Sequence, residues 1–137
     1  MGYEVLVVDD SATIRSMVKK SIALSGLQVN QVHEARNGQE ALRVLREKWI
    51  DIVFTDLHMP EVDGIELVER MNADQILVGV PVVVVSSDRS QEHLDRLRKL
   101  GVRAYIKKPF RPESVRDVVL GLLDTTGEKN NDWSFDR

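Results

Sequence analysis

Four apolar runs of this chain are each followed at once by charged or hydroxyl-bearing side chains. The residues in these positions are Asp9 and Asp10 after VLVV, Asp56 after IVFT, Ser86 after VVVV and Lys108 after AYIK. A carboxylate can attack phosphorus, while a hydroxyl, an ammonium group and a divalent cation can hold the phosphoryl oxygens. If the fold brings these side chains together, they predict phosphoryl transfer to Asp56.

The elements that would bring them together are strands and helices that alternate five times. The apolar runs predict strands at Val5 to Val8, Val29 to Val32, Ile52 to Phe54, Val82 to Val85 and Ala104 to Ile106. Apolar residues recur at helical spacing between and after the runs. The first predicted helix spans about Ser11 to Ser25 with Met17 on its apolar face, the second includes Trp49, and the fifth opens at Pro112. This alternation predicts a parallel sheet covered by helices on both faces.

In such a sheet the carboxyl ends of the strands lie along one edge, where ligands bind. Asp9, Asp10 and Asp56 would therefore lie close together. A pair of like charges at about 4 Å costs on the order of 1 kcal/mol in water and about 4 kcal/mol at an effective dielectric near 20. Lys108 offsets only part of this repulsion, and oxygen ligands without histidine or cysteine favour Mg²⁺, with Mn²⁺ as the alternative.

Each of these residues also has a simpler interpretation. Asp9 and Asp10 are suitable caps for the first helix, Ser86 is suitable for a cap or turn, and Asp56 for a turn. Lys108 precedes a proline and fits a solvated loop. The simpler interpretations do not explain why all of them follow strands, and this shared position favours one common site.

Composition limits the class of protein. The net charge of −3 argues against direct nucleic-acid binding, and the absence of cysteine excludes disulfides and thiolate metal sites. No apolar run reaches the length of about 20 residues that a membrane span needs, and a cytoplasmic location is the default expectation. Residues 1–124 are predicted to form one domain, and the polar residues 125–137 a flexible tail or linker.

The segments VLVVDD, DIVFTDLHMPEVDG, PVVVVSS and AYIKKPF resemble the receiver (CheY-like) domain of bacterial two-component response regulators. The resemblance covers about residues 3–124, with the segments in the family's order. It implies an α/β fold of the flavodoxin-like, doubly wound (βα)5 type, with a five-stranded parallel sheet in the order 2-1-3-4-5. It also implies a signalling switch, and no enzymatic activity beyond self-catalysed phosphorylation and autodephosphorylation.

The resemblance implies a role for each residue of the predicted site. Asp56 is then the phosphoacceptor, which takes its phosphoryl group from a sensor histidine kinase or a phosphotransfer protein. Asp10 and Asp56 are direct Mg²⁺ ligands together with the backbone carbonyl of His58, and Asp9 acts through a bound water. Lys108 pairs with the phosphoryl group.

The resemblance further implies a switch and a control of lifetime. Ser86 is the residue whose hydroxyl turns toward the phosphoryl group, and Tyr105 is the aromatic residue that changes rotamer and enters the space that Ser86 leaves. The surface formed by the fourth helix, fifth strand and fifth helix would then change. His58 and Asp88 flank the route of the hydrolytic water, so they are expected to tune autodephosphorylation.

That surface would meet a downstream protein, a fused output domain or a second copy of the chain. Basic residues are concentrated in this part of the sequence: Arg96, Arg98, Lys99, Arg103, Lys107 and Arg111. As a set they predict an acidic partner or a self-dimer. Trp133 and Phe135 form a candidate docking segment in the tail.

Two other functions stay open at this stage. One is a receiver-like interaction module that is never phosphorylated, although the complete set of acidic residues argues against it. The other is a phosphatase of the haloacid-dehalogenase type, which shares the aspartyl phosphate, Mg²⁺ and the lysine. In that family the nucleophile follows the first strand, whereas Asp56 follows the third predicted strand.

Overall fold

The computed structural model of the chain describes residues 2–122 and 134–135. Its strands are β1 (Tyr3–Val8), β2 (Val29–Ala35), β3 (Ile52–Thr55), β4 (Val82–Ser86), β5 (Ala104–Lys107) and β6 (Ser134–Phe135). Its helices are α1 (Ala12–Leu24), α2 (Gly38–Glu47), α3 (Gly64–Asn72), α4 (Gln91–Lys99) and α5 (Pro112–Leu122). The five predicted strands and five predicted helices are all present in the predicted order.

The strands form a single parallel sheet in the order β2-β1-β3-β4-β5-β6. This confirms the flavodoxin-like order 2-1-3-4-5 for the first five strands. The sixth strand was not predicted, since residues 134–135 were assigned to a flexible tail. Their backbone pairs with β5, opposite Ala104 and Tyr105. Trp133 and the rest of the predicted tail from residue 125 lie outside the described residues.

Four of the helices begin at a side chain that caps a free backbone N–H group. The caps are Ser11, Asn37, Asp63 and Ser90, and each side-chain oxygen accepts a hydrogen bond from the amide three residues later. Such caps satisfy donors that the helix itself leaves unpaired. Local sequence therefore fixes where these helices start, and with that the length of the loops between strand ends and helices.

The core consists of two apolar layers, one on each face of the sheet. Residues of β1 alternate between them: Leu6 and Val8 belong to one layer, and Val5 and Val7 belong to the other. Burial on both faces explains why this run is continuously apolar.

Two residues assigned to apolar helix faces do not pack as predicted. Met17 of α1 is 43% exposed, and Trp49 is 79% exposed because α2 ends at Glu47. Among the described residues, no helix is long and apolar enough to cross a membrane.

Candidate functional site

The acidic residues of the predicted site stand side by side because β1 and β3 are neighbours. Val8 lies opposite Thr55 in the parallel register, so the next residues of both strands continue along the same edge. The amide of Asp56 donates to the carbonyl of Val8 at 3.0 Å, which extends the β1–β3 pairing by one residue. The backbone of the sheet itself thus fixes the position of Asp56 relative to Asp9.

Three carboxylates meet at this edge. Carboxylate oxygens of Asp9, Asp10 and Asp56 all lie within 4.8 Å of one another. Asp9 is buried, Asp56 is partly buried and Asp10 is exposed. We call these three residues together with Lys108 the acidic pocket.

Lys108 supplies the positive charge of the acidic pocket. Its Nζ lies 3.0 Å from Oδ2 of Asp9 and 3.4 Å from Oδ2 of Asp56, and only 18% of its side chain is exposed. Its amide donates to the carbonyl of Ser86 at 3.0 Å, and the peptide bond to Pro109 is cis. One ammonium group therefore lies beside two of the three carboxylates.

Asp9 is held in place by two contacts of its own loop and helix. Its Oδ1 accepts a hydrogen bond from the amide of Ser11 at 2.9 Å. Its backbone carbonyl accepts one from Arg15 of α1 at 2.7 Å. Sequence reasoning did not identify Arg15, which lies one helical turn after Ser11 and reaches back to the end of β1.

The loop after Asp56 is packed tightly against the start of α3. Oδ1 of Asp56 accepts a hydrogen bond from the amide of Leu57 at 2.8 Å, and the carbonyl of Leu57 accepts one from Gly64 at 2.8 Å. A Cβ atom on Gly64 would lie 2.3 Å from the carbonyl oxygen of Asp56. Only glycine fits this approach of two backbones, so Gly64 is required for the observed position of Asp56.

The predicted switch residues are linked through Asp88. The hydroxyl of Ser86 accepts a hydrogen bond from the amide of Asp88 at 3.1 Å. The hydroxyl of Tyr105 donates to the backbone carbonyl of the same residue. Tyr105 is fully buried, and this burial is the main cause that raises the pKa of its phenol. Tyr105 is therefore already buried while Ser86 contacts the Asp88 amide, so its burial does not require Ser86 to move first.

A second polar cluster lies on the loops beside the acidic pocket. Oδ2 of Asp88 lies 2.6 Å from Nε2 of His58 and 2.7 Å from Nδ1 of His93, and its Oδ1 accepts a hydrogen bond from the Ser90 amide at 2.7 Å. We call His58, Asp88 and His93 the histidine cluster. Burial would raise the pKa of Asp88, but the hydrogen bonds from Ser90 and the two histidines outweigh it and lower that pKa to about 2.

The sequence predicted two of the three residues in the histidine cluster and missed the third. His93 is the third residue of α4, and its amide donates to the capping hydroxyl of Ser90. A signal was present in the sequence: a capping serine fixes the helix start and so places the side chain of His93 over the preceding loop. The cluster draws its members from the loop after β3, the loop after β4 and the first turn of α4.

The predicted basic surface has a mixed character. Arg98, Lys99, Arg103 and Arg111 are exposed, whereas Lys107 is partly buried. Arg96 pairs with Glu69 of α3, so part of its charge is matched within the chain.

The donor atoms of the acidic pocket fit Mg²⁺ or Mn²⁺. All the candidate side-chain ligands are carboxylate oxygens, which hard divalent cations prefer, and Lys108 leaves an excess of negative charge. Among the described residues, every buried side-chain nitrogen and oxygen atom has a hydrogen-bond partner. The pocket therefore lacks enough positive charge to balance its carboxylates, although its buried polar atoms have hydrogen-bond partners.

Comparisons with known proteins agree with this geometry. The family model described as "Response regulator receiver domain" matches residues 5–120. A chemotaxis protein CheY homolog of Campylobacter jejuni is 33% identical over 123 residues, which cover 89% of this chain and 93% of that protein. The structure of the chemotaxis response regulator CheY4 of Vibrio cholerae superposes with a TM-score of 0.79 at 28% identity, and covers 90% of this chain and 100% of that one. That of the phosphorylated cyanobacterial phytochrome response regulator RcpA has a TM-score of 0.76 at 25% identity, with 89% and 91% covered.

Proposed function

The chain belongs to the response regulator receiver domain family, and we propose on this basis that it is a phosphorylation-controlled switch with Asp56 as phosphoacceptor. The observation that carries the proposal is the acidic pocket itself. A partly buried carboxylate stands 3.4 Å from an ammonium group and within 4.8 Å of two further carboxylates. The relative from cyanobacteria whose structure is described as phosphorylated supports the same chemistry.

In the proposed reaction, a carboxylate oxygen of Asp56 attacks the phosphorus of a phosphohistidine on a sensor kinase or phosphotransfer protein. The new O–P bond forms as the N–P bond to that histidine breaks, and the imidazole leaves with the bonding electron pair. Lys108 stabilises the charge that develops on the phosphoryl oxygens.

The residues that would hold Mg²⁺ are Asp10 and Asp56 directly, together with the backbone carbonyl of His58, and Asp9 through water. Bound Mg²⁺ would neutralise the carboxylates and bind an oxygen of the phosphoryl group. Asp9 also holds Lys108 at 3.0 Å, so its carboxylate places the ammonium group beside the nucleophile.

The proposed switch begins at Ser86. A phosphoryl group adds roughly −1.5 to −2 charge and three acceptor oxygens. The hydroxyl of Ser86, which now accepts from the Asp88 amide, would instead donate to one of these oxygens. Because Asp88 also holds the hydroxyl of Tyr105, a shift of its loop would change both the environment of Tyr105 and the start of α4.

The output surface is proposed to be the face of α4, β5 and α5. Its exposed basic residues fit an acidic partner protein, an attached output domain or a second copy of the chain. The pairing of β6 with β5 places the chain's own residues 134–135 at the edge of this surface. Deletion of residues 125–137 would therefore be expected to uncover the β5 edge.

The experiment that tests the proposed function is intact mass spectrometry after incubation with acetyl phosphate. The wild type is expected to gain one phosphoryl group when Mg²⁺ is present and none when it is chelated. Asp56→Asn should gain none under either condition. A wild-type protein that folds and gains no mass would favour a receiver-like module that acts without phosphorylation.

The same assay tests the control of lifetime. His58→Ala should change the rate at which the phosphoryl group is lost, because His58 lies beside the acidic pocket and contacts Asp88. The matched control is His33→Gln, since His33 contacts Glu4 on another part of the sheet. An unchanged decay rate in His58→Ala would leave His58 with no role in hydrolysis.

A further inference from the structure

The histidine cluster has the donor atoms of a transition-metal site. Ligating atoms of His58, Asp88 and His93 all lie within 4.8 Å of one another. Two imidazoles and one carboxylate are a set that binds Zn²⁺ and similar borderline ions, whereas the all-oxygen acidic pocket favours Mg²⁺. The two clusters therefore differ in the metal that they select.

The geometry points to a Zn²⁺-class site, and we propose that the histidine cluster binds one divalent transition-metal ion separately from the acidic pocket. Its protein ligands are Nε2 of His58, Oδ2 of Asp88 and Nδ1 of His93. Three protein ligands leave a fourth tetrahedral position for water. The proposed site does not depend on phosphorylation of Asp56.

The distances show what the ion would have to change. Oδ2 of Asp88 is 2.6 Å from His58 and 2.7 Å from His93. Ligands at about 2.1 Å in tetrahedral geometry are about 3.4 Å apart, so each imidazole would move outward by about 0.7 Å. The side chain of His58 is 64% exposed and that of His93 is 37% exposed, which leaves room for this movement.

Both candidate nitrogens, Nε2 of His58 and Nδ1 of His93, already face the same oxygen atom, Oδ2 of Asp88. The imidazole ring centroids of His58 and His93 are 5.9 Å apart and the rings are tilted by 58°. Asp88 is held at its other oxygen by the Ser90 amide at 2.7 Å, which is the outer contact that fixes a ligating carboxylate. As metal ligands, Nε2 of His58 and Nδ1 of His93 would each present a lone pair, with the ring proton on the other nitrogen.

Binding would join three segments that the proposed switch needs to move. His58 belongs to the loop after β3, Asp88 to the loop after β4, and His93 to α4. The amide of Asp88 holds Ser86 in its present contact. An ion at the cluster would therefore oppose the turn of Ser86 toward a phosphoryl group, a consequence that rests on the proposed function.

The test is a titration with Co²⁺, whose visible absorption reports tetrahedral binding, followed by competition with Zn²⁺. Excess Mg²⁺ is present throughout so that the acidic pocket is occupied. We expect the wild type to bind one equivalent of Co²⁺. His93→Ala should lower the affinity for Co²⁺ by at least about 10-fold. His33→Gln, which removes the histidine outside the cluster, should bind like the wild type.

Two results would overturn the site. One is equal Co²⁺ affinity in His93→Ala and the wild type. The other is a Co²⁺ absorption signal that disappears in Asp10→Asn but is retained in His93→Ala, which would place the ion in the acidic pocket. Imidazole NMR signals supply an independent readout: those of His58 and His93 should shift with Zn²⁺, and that of His33 should not.

The regulatory consequence has its own readout. Labelling by acetyl phosphate in excess Mg²⁺ should slow when Zn²⁺ is added to the wild type, and should stay unchanged in His93→Ala. An equal response of both proteins would reject the consequence, while the Co²⁺ titration would still decide the site. Failure of the proposed function would instead show as absent labelling without any Zn²⁺.

Discussion

The acidic pocket and the histidine cluster lie beside each other, and their charges are arranged in opposite ways. In the pocket, three carboxylates share one ammonium group, with Lys108 at 3.0 Å from Asp9 and 3.4 Å from Asp56. In the cluster, one carboxylate contacts two imidazoles and a backbone amide. The pocket carries excess negative charge, whereas Asp88 is fully provided with donors.

The difference shows how the balance of donors around an aspartate determines whether its region responds to a ligand or stabilises the loops. A pocket with unbalanced charge gains stability from a divalent cation or another positive group, so it is suited to respond to a ligand. A cluster whose carboxylate is satisfied stabilises the loops that it joins. Removal of a carboxylate should therefore raise the free energy of unfolding in the pocket and lower it in the cluster.

The largest effect is expected from Gly64→Ala, which disturbs the backbone that carries the acidic pocket. The new Cβ would lie 2.3 Å from the carbonyl of Asp56 and 2.9 Å from Cα of Leu57. We expect unfolding to become easier by about 3 kcal/mol. Displacement of Asp56 should slow labelling by acetyl phosphate on the order of 100-fold.

Gly121→Ala is the matched control, because a Cβ at this position of α5 meets no atom of the described residues within 4 Å. It should leave labelling unchanged and raise stability by roughly 0.5–1 kcal/mol, since alanine is the better helix former. Equal behaviour of the two variants would show that the approach at Gly64 does not position Asp56.

The next largest effect is expected in the histidine cluster, where the carboxylate of Asp88 has a donor for each of its oxygens. Asp88→Ala removes the acceptor of the Ser90 amide and of both histidines, and should lower the free energy of unfolding by about 2 kcal/mol in urea denaturation. Asp95→Ala, on the exposed side of α4, should change it by no more than about 0.5 kcal/mol. If Asp88→Ala proved as neutral as its control, the cluster would not stabilise the loops.

The positions of the pocket residues could be predicted from the sequence because strand ends carry them. Continuous apolar runs identify buried parallel strands, and the residue after each run must lie at the carboxyl edge. Asp9, Asp56 and Lys108 need no knowledge of helix packing for this. The backbone hydrogen bond from Asp56 to Val8 shows why the inference holds, since the sheet continues into the site.

The sequence was less informative where side-chain direction on helices decides the outcome. His93 joins Asp88 only because Ser90 sets the first turn of α4. Met17 and Trp49 follow an apolar spacing but are exposed. The prediction failed because apolar spacing does not show where a helix ends or how wide its buried face is. The pairing of β6 had no sequence signal, since residues 134–135 lie in a polar segment.

A smaller change in the free energy of unfolding, of opposite sign, is expected in the acidic pocket. Asp10→Asn removes one carboxylate of the acidic pocket, and because Asp10 is exposed the relief of repulsion should be about 1 kcal/mol. Without divalent cations the variant should therefore unfold at higher urea concentration than the wild type. The stabilisation that Mg²⁺ gives to the wild type should be lost.

Asp117→Asn supplies the control for a change of charge alone. Asp117 is exposed on α5 and pairs with Arg116 at 3.4 Å. Its substitution should shift stability by less than about 0.5 kcal/mol and should leave the effect of Mg²⁺ intact. A destabilised Asp10→Asn would mean that the three carboxylates do not repel one another appreciably.

The smallest effect concerns Glu34, a carboxylate near the pocket that is matched by cations. It lies 2.9 Å from Arg15, which also holds the carbonyl of Asp9, and 3.0 Å from Lys19. Because hydrogen bonds from both cations lower the pKa of Glu34 below its ordinary value of 4.5, the pair contributes stability above that pH and loses it as the pH falls.

Glu34→Gln should lower the free energy of unfolding by about 0.5 kcal/mol near neutral pH, because solvent screens this exposed pair. The difference should shrink as the pH falls below 4.5 and the wild-type carboxylate also becomes protonated. A difference that persisted in acid would show that Glu34 acts through packing, and the contrast between matched and unmatched carboxylates would then not extend to the rim of the pocket.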